Sequence, residues 1–224
     1  VLDNSAAELD LSSLGHAADA ETAEALSCLP AVTHINLGAQ GTGSDALTAS
    51  DLRAIHEACP NAELDYRFTL YGHEINLNDS ALDFRGTEIS DEAAALNEVL
   101  PLMLRCSYLD MDNTGVSNEA LAKIREEFPN IDVVWRVWFG TNYSVRTDVE
   151  RILASKPTVG GMIYDVSVLQ YCTKVKYLDI GHNDELPSID FARSMPELEV
   201  LIIAMTAVTD ISPLESCPKL EYLE

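Results

Sequence analysis

Self-similarity constrains this chain more than any other feature. From residue 175 onward a patterned series, Val175, Leu178, Ile180, Asn183, Leu186 and Ile189, returns as Leu198, Leu201, Ile203, Thr206, Val208 and Ile211. It then restarts with Leu220 and Leu223, one position sooner than the first return. Residues 165–178 and 210–223, two periods apart, agree at seven of fourteen positions. A unit this short cannot bury an apolar face alone, so neighbouring units must stack.

A longer repeat precedes it, from Leu9 to Gly140. Leu9-Asp10-Leu11, a segment over 21–28 with Leu29-Pro30, Ile35-Asn36-Leu37 and a helical stretch ending at Cys59-Pro60-Asn61 follow one another. The same order recurs as Leu82-Asp83-Phe84, a segment over 92–99 with Leu100-Pro101, Leu109-Asp110-Met111 and a stretch ending at Phe128-Pro129-Asn130. Each copy closes on an aromatic, arginine-containing strand, Tyr66-Arg67-Phe68 or Trp135-Arg136-Val137.

Two periodicities sit inside one unit. The Leu-x-Leu segments alternate apolar and polar positions, as half-buried strands do. The segments after them space apolar residues by three and four, as in Leu121, Ile124 and Phe128 or Val149, Ile152 and Leu153, which predicts helices. Capping chemistry marks helix entries at Thr147 with Glu150, Ser117 with Glu119, and Ser90 with Asp91 and Glu92. Pro60, Pro101, Pro129, Pro196 and Pro218 stop them. The shorter C-terminal period leaves room only for a turn, such as Ile211-Ser212-Pro213-Leu214. Residues 68–75 read as a hairpin around Tyr71-Gly72-His73.

Residues 175–224 resemble the short repeats of internalin-like and phosphatase-regulator-like leucine-rich repeat proteins. Thr209-Asp210-Ile211-Ser212-Pro213-Leu214 matches the connecting segment of that superfamily. Residues 9–140 resemble its longer, ribonuclease-inhibitor-like repeats. The mixture, including residues 135–140 followed by 143–148, is similar to secreted and surface repeat proteins of Gram-positive gut bacteria. The resemblance implies an α/β leucine-rich repeat solenoid, curved, with parallel strands on the concave face and helices or turns on the convex one. Long repeats with a hairpin insertion are expected over residues 1–155 and short repeats over 156–224, continuous with the first part. Leu220 opens a repeat and Val1 begins at the repeat position that corresponds to the hairpin near Leu77, so the native chain is expected to extend beyond both ends. In function the resemblance implies a non-enzymatic protein-binding module of an exported bacterial surface protein. A cytoplasmic scaffold or inhibitor of the same shape is the alternative, and a hydrolase or metal-dependent enzyme with a hidden site is the rival of a different class.

Charge narrows the partners. The chain has 14 Lys and Arg against 37 Asp and Glu, a formal charge of −23. Residues 1–122 carry 21 acids against Arg53, Arg67, Arg85 and Arg105, so −17 of that charge lies in the first half. Such a chain repels phosphate backbones and anionic membranes, and the expected ligand is a protein or peptide, basic in character. No run of residues approaches the length of a membrane-spanning helix.

Several chemical motifs are present in form only. Gly41-Thr42-Gly43-Ser44-Asp45-Ala46 has dinucleotide-loop spacing, but strand and helix stand in the wrong places. Asp110-Met111-Asp112-Asn113-Thr114-Gly115 copies the start of a calcium loop, yet the twelfth position is Leu121 and a strand occupies the place of the entering helix. His16, His34, His56, His73 and His182 stand singly. Cys28, Cys59, Cys106, Cys172 and Cys217 form no Cys-x-x-Cys pair and are expected to be reduced and buried. No cofactor and no metal site is expected.

The remaining constellation is the column of central residues in the Leu-x-Leu strands: Asp10, Asn36, Asp65, Asp83, Asp110, Asp179, Ile202 and Tyr222. Each should point away from the core onto the exposed sheet face, and together they form the expected binding surface, rich in carboxylates. The plainer alternative is that short polar residues solubilise that face. Trp135 and Trp138 are expected to share one face of their strand.

Overall fold

In most strands of the repeats the buried apolar positions alternate with residues that face outward. The computed structural model describes residues 5–12, 20–40, 47–161 and 163–224. In chain order it contains β1 (Glu8–Asp10), α1 (Ala20–Ser27), β2 (His34–Ala39), α2 (Ala49–Ala58), β3 (Glu63–Leu70), β4 (His73–Asn76), β5 (Ala81–Asp83) and α3 (Ala94–Val99). There follow β6 (Tyr108–Asp110), α4 (Asn118–Glu127), β7 (Asp132–Val134), β8 (Arg136–Phe139), β9 (Tyr143–Arg146), β10 (Arg151–Leu153), β11 (Tyr177–Asp179), β12 (Val200–Ile202) and β13 (Tyr222–Leu223). Strands β5, β6 and β7 form a three-stranded sheet in that order. The chain divides into two units, one of Val1–Leu109, Thr114–Val116 and Ile124–Asp132, the other of Asp110–Asn113, Ser117–Lys123 and Val133–Glu224. The fold is of the α/β leucine-rich repeat class.

In the first unit β1, β2 and β3 run parallel, with Leu9, Ile35 and Leu64 in register and all three buried. Between β2 and β3, α2 starts on a capping box in which Thr48 Oγ1 accepts from the Asp51 N–H at 3.2 Å and an Asp51 carboxylate oxygen accepts from the Thr48 N–H. Its Leu52 and Ile55 turn inward. Gly38 breaks the register of β2 against β3; its φ is +78°, and a Cβ there would come within 3.1 Å of the Ser12 Cβ, so both conformation and space favour glycine. Strand β4 folds back antiparallel on β3 through Tyr71-Gly72, which is the expected hairpin. Its tip is pinned by the Tyr71 hydroxyl, which donates to Asp91 at 3.0 Å and accepts from the Leu96 N–H at 3.2 Å. Desolvation pushes this phenol up to about 12, so it stays a donor.

In the second unit β10, β11, β12 and β13 run parallel. Ile152, Leu178 and Leu201 align across three strands and are fully buried, as are Val175, Ile180 and Leu198 around them. Ile203 is half-buried, with only β13 stacked beyond it. As the short period requires, helices give way to 3-10 turns at Ser167–Tyr171, Asp190–Ser194 and Ser212–Ser216.

Two expected helix entries hold in altered form and one fails. Ser117 Oγ accepts from the Ala120 N–H at the start of α4, while α3 is entered through Asp91, which accepts from the Ala93 and Ala95 N–H groups in place of Ser90. The helix expected after Thr147 does not form. Residues 147–153 are the counterpart of 77–83 in the first copy, and like them turn directly into a strand, β10. Thr147 is buried, its hydroxyl accepting from the Trp135 N–H at 3.2 Å. The Val149, Ile152, Leu153 spacing fits a helix only because Leu153 is apolar on the outward face of a strand. The hairpin likewise occurs twice, the second time as β8 paired antiparallel with β9.

The coils of the second unit are tied together by Asn183, which is fully buried. Its Nδ2 donates to the Ile180 carbonyl at 2.8 Å and the Ala154 carbonyl at 3.1 Å, and its Oδ1 accepts from the Ile163 N–H at 3.0 Å. No apolar residue could satisfy these groups, which lie where the backbone leaves the strand. Replacing Asn183 with Ala should therefore cost about 2 to 4 kcal/mol, because buried donors and acceptors lose their partners. The midpoint of urea unfolding measures this, and an unchanged midpoint would show that water replaces the amide.

Candidate functional site

The side of each sheet that points away from the apolar layer is the surface to which the strand residues deliver their polar and aromatic groups. In the first unit Asp10, Asn36 and Asp65 stand in register across β1, β2 and β3, with Glu8, His34 and Glu63 forming a second column beside them. In the second unit the corresponding columns are Leu153, Asp179 and Ile202, and Arg151, Tyr177, Val200 and Tyr222. Asp10 and Asp83 are exposed, and Asn36, Asp65, Asp179 and Ile202 half-buried, so the inward and outward register stands for these six.

Two members of the expected column are corrected. Asp110 is buried, at 3% exposure, with Arg146 bound to its carboxylate. Tyr222 faces outward but pairs with Val200, so it belongs to the neighbouring column and Ile202 has no counterpart in β13. From Leu198 to Leu220 the period is 22 residues, which puts Ile202 level with Glu224, so aligning Tyr222 with Ile202 is two positions out of step. The outward residues Arg151 and Leu153 escape sequence reading because a helix is expected there. The signal was the likeness of Arg151-Ile152-Leu153 to Tyr177-Leu178-Asp179 in the following unit.

Most acids and amides of the column share a local task. Asp10 accepts from the Ser12 N–H (2.9 Å), Asn36 from Gly38 (2.9 Å), Asp83 from Arg85 (3.1 Å), Asp110 from Asp112 (3.1 Å) and Asp179 from Gly181 (3.0 Å). Each bond turns the chain out of its strand by satisfying the N–H two residues on. Asp65, in the interior of the longer β3, instead accepts from Asn76 Nδ2 at 2.6 Å. Asp10 is held below the ordinary carboxyl range by the Ser12 hydroxyl and N–H, and Asp83 by the Arg85 guanidinium. Their contributions are present above the ordinary carboxyl pKa and are lost as pH falls through the lowered values.

The charged centre of the second unit lies where β8 and β9 meet. Arg136 grips Asp112 through Nε (3.0 Å) and one terminal nitrogen (2.9 Å) and donates to Ser144 Oγ at 3.3 Å. Arg146 grips Asp148 through Nε (3.1 Å) and a terminal nitrogen (3.2 Å), and its other terminal nitrogen bridges Asp110 (3.1 Å) and Asp112 (3.5 Å). Asp148 and Asp110 raise the Arg146 guanidinium above its ordinary value. The two carboxylates that open the calcium-like motif are thus neutralised by guanidinium groups. The first copy lacks this centre, having Asn36 and Gly38 where the second has Asp110 and Asp112, and Asn76 where it has Arg146.

Trp135 and Trp138 do not share a face. Trp135 is buried, its Nε1 donating to Asn118 Oδ1 at 2.9 Å, whereas Trp138 is 59% exposed. Positions three apart in a strand fall on opposite sides, so the shared face was excluded by geometry. Of the cysteines, Cys59, Cys106, Cys172 and Cys217 are buried, but Cys28 is exposed near the end of α1, and all five are thiols. Burial raises the Cys59, Cys106 and Cys217 thiols, which lowers their reactivity. The dinucleotide-like residues 41–46 and His16 lie outside the described residues. Among the described residues no three His, Cys, Asp or Glu converge to hold a metal ion, and no helix is long and apolar enough to cross a membrane.

No family model matches the chain, and no curated protein matches it. Among solved structures it is similar to an internalin, inlC2, from Listeria monocytogenes, at 16% identity over 92% of this chain and 91% of that one, with a TM-score of 0.27. An internalin, inlF, from the same organism gives 16% identity over 89% of this chain and 49% of that one, at 0.23. The TLR13–ssRNA13 complex gives 13% identity over 88% and 19%, also at 0.23. The chain therefore spans about half of inlF and about a fifth of TLR13. Its class of fold follows from the strand registers and recurring turns described above, not from these overlaps.

The Arg146 centre yields a prediction of its own. Replacing Arg146 with Leu takes the guanidinium from Asp110, which is 3% exposed, and leaves Asp112 to Arg136 alone, which should cost about 3 kcal/mol. Adding Asp110→Asn should recover part of that loss, because one uncompensated charge disappears. Denaturant unfolding of the two single variants and the double variant tests the coupling, and simple additivity would contradict it.

Proposed function

We propose that the chain is a non-enzymatic protein-binding module whose ligand, a protein or peptide and not a nucleic acid, lies across the outward sheet faces. The observation that carries this reading is the contrast within single strands: Ile152, Leu178 and Leu201 are sealed, while Leu153, Tyr177, Val200, Ile202 and Tyr222 beside them remain wholly or partly open. Apolar and aromatic groups held on a rigid sheet in an otherwise acidic chain supply the area a protein interface uses, and the carboxylates around them select a basic partner. The polar columns Asp10, Asn36, Asp65 and Glu8, His34, Glu63 offer a second, more hydrophilic face of the same kind. Asp83 and Asp179 belong to the proposed surface as far as their turn bonds leave them open, and the buried Asp110 does not.

The likeness of residues 175–224 to internalin-like repeats supports placing the protein outside a bacterial cell, at its surface. Protease treatment of intact producing cells tests that placement: surface protein is degraded, and internal protein survives.

The face itself is tested by substitution. Ile202→Glu should abolish capture of a partner that wild-type protein retains, whereas Lys174→Glu, an exposed change before β11, should leave capture within about twofold, since exposed positions away from an interface contribute little. Hydrogen exchange of the complex should slow at residues 177–179 and 200–202. Protection confined to the hairpin turns or helices would place the ligand elsewhere.

A further inference from the structure

The three 3-10 turns of the second unit recur in step: Ser167, Asp190 and Ser212 open them, and Gln170, Arg193 and Glu215 take the fourth position of each. Between the second and third turns the protein supplies its own cation. Arg193 donates through a terminal nitrogen to Ser212 Oγ at 3.3 Å, and its Nε lies 3.8 Å from an Asp190 carboxylate oxygen. One guanidinium thus reaches the opening residues of two neighbouring turns. Between the first and second turns the same position is Gln170, which is exposed and makes no side-chain hydrogen bond among the described residues.

At the openings of the first two turns lies a pocket of about 240 Å³. Its apolar lining includes the buried Leu186 and Phe191, the exposed Pro187 and Tyr164, whose residue is 58% exposed. Its charged lining is Asp165 and Asp190, and no Lys or Arg takes part. One Asp165 oxygen accepts from the Ser167 N–H at 2.7 Å, and the other has no partner among the described residues. One Asp190 oxygen accepts from Ser188 Oγ at 2.9 Å, while the other is the one 3.8 Å from Arg193, beyond hydrogen-bond reach. Both turns lie well inside the array, with β10 ahead of them and β12, the turn at Ser212–Ser216 and β13 after them.

We infer that this pocket takes an arginine side chain of the bound protein, which does between the first two turns what Arg193 does between the next two. Tyr164, Leu186 and Pro187 offer an apolar wall to the methylene stem and the flat guanidinium, and Asp165 and Asp190 accept its N–H groups. A forked guanidinium can address both carboxylates at once, which the compact lysine ammonium does less well. This inference rests on the reading of the chain as a protein-binding module and adds to the sheet face a contact at the turns.

The test compares acetyl-Gly-Gly-Arg-Gly-Gly amide with the same peptide carrying citrulline, which keeps the shape of arginine without its charge. The backbone amide resonances of Ser167, Ser188 and Asp190 should shift saturably with the arginine peptide, which wild-type protein should bind about 3- to 10-fold tighter than the citrulline peptide, the effect of two exposed ionic contacts. Asp165→Asn combined with Asp190→Asn should remove that preference. Gln170→Arg, which supplies the guanidinium from the protein itself as Arg193 does, should remove it too. All three positions are exposed, so an unchanged amide spectrum elsewhere verifies the fold. Equal binding of the two peptides by wild-type protein, or a preference that survives either variant, overturns the arginine pocket. If a protein partner is lost on Ile202→Glu but held equally by wild type and the double Asp→Asn variant, the sheet face binds protein and this inference alone fails.

Discussion

A coil that leaves its strand after a few residues must turn at once without stranding backbone hydrogen-bond groups, and the rest of the structure depends on how this chain does so. In five of the strands that compose the polar column, an Asp or Asn at the point of departure accepts from the N–H two residues further on. Deeper in the second unit Asn183 does the complementary work, donating to two carbonyls and accepting one N–H from a neighbouring coil. With these groups satisfied, Ile152, Leu178 and Leu201 can close over one another with no exposed surface. Hydrophobic stacking supplies most of the stability, but short side-chain acceptors fix where each layer stops.

This division explains which parts were legible in the sequence. The short C-terminal period, the hairpin at Tyr71 and the inward register of Leu178 and Leu201 follow from spacing alone, since a one-residue slip would expose the whole layer. The strand at Arg151 was obscured because its outward residue, Leu153, is apolar, so alternation vanished and a helical spacing took its place. Tyr222 was aligned with Ile202 although the 22-residue spacing from Leu198 to Leu220 puts Ile202 level with Glu224, two positions further on. The burial of Asp110 was not readable at all: it depends on Arg146, far along the chain, which the hairpin carries over the carboxylate.

The two internal copies also show how one scaffold takes different surfaces. The first keeps Asn36, Gly38 and Asn76 and a polar, acidic sheet face, while the second replaces these with Asp110, Asp112 and Arg146 and is knit by charge. These ion pairs join the hairpin residues Arg136 and Arg146 to Asp110 and Asp112, and breaking one by removing a partner is costly because it leaves a buried charge uncompensated. The outward columns of the two sheets differ as well, with Asp10, Asn36 and Asp65 on β1 to β3 and Leu153, Asp179 and Ile202 on β10 to β12 of the short repeats.

The central claim is that the column acids terminate strands first and carry charge second. It is tested most directly by comparing Asp→Asn with Asp→Ala at Asp10, Asp83 and Asp179, one position at a time, through the free energy of unfolding in urea. The account predicts that Asn, which keeps the acceptor oxygen, leaves stability within about 0.5 kcal/mol, while Ala costs about 0.5 to 1.5 kcal/mol at each position. If Ala is tolerated as well as Asn at all three positions, the turn bonds do not hold the strand ends, and the polar column has to be explained by solubility or binding alone.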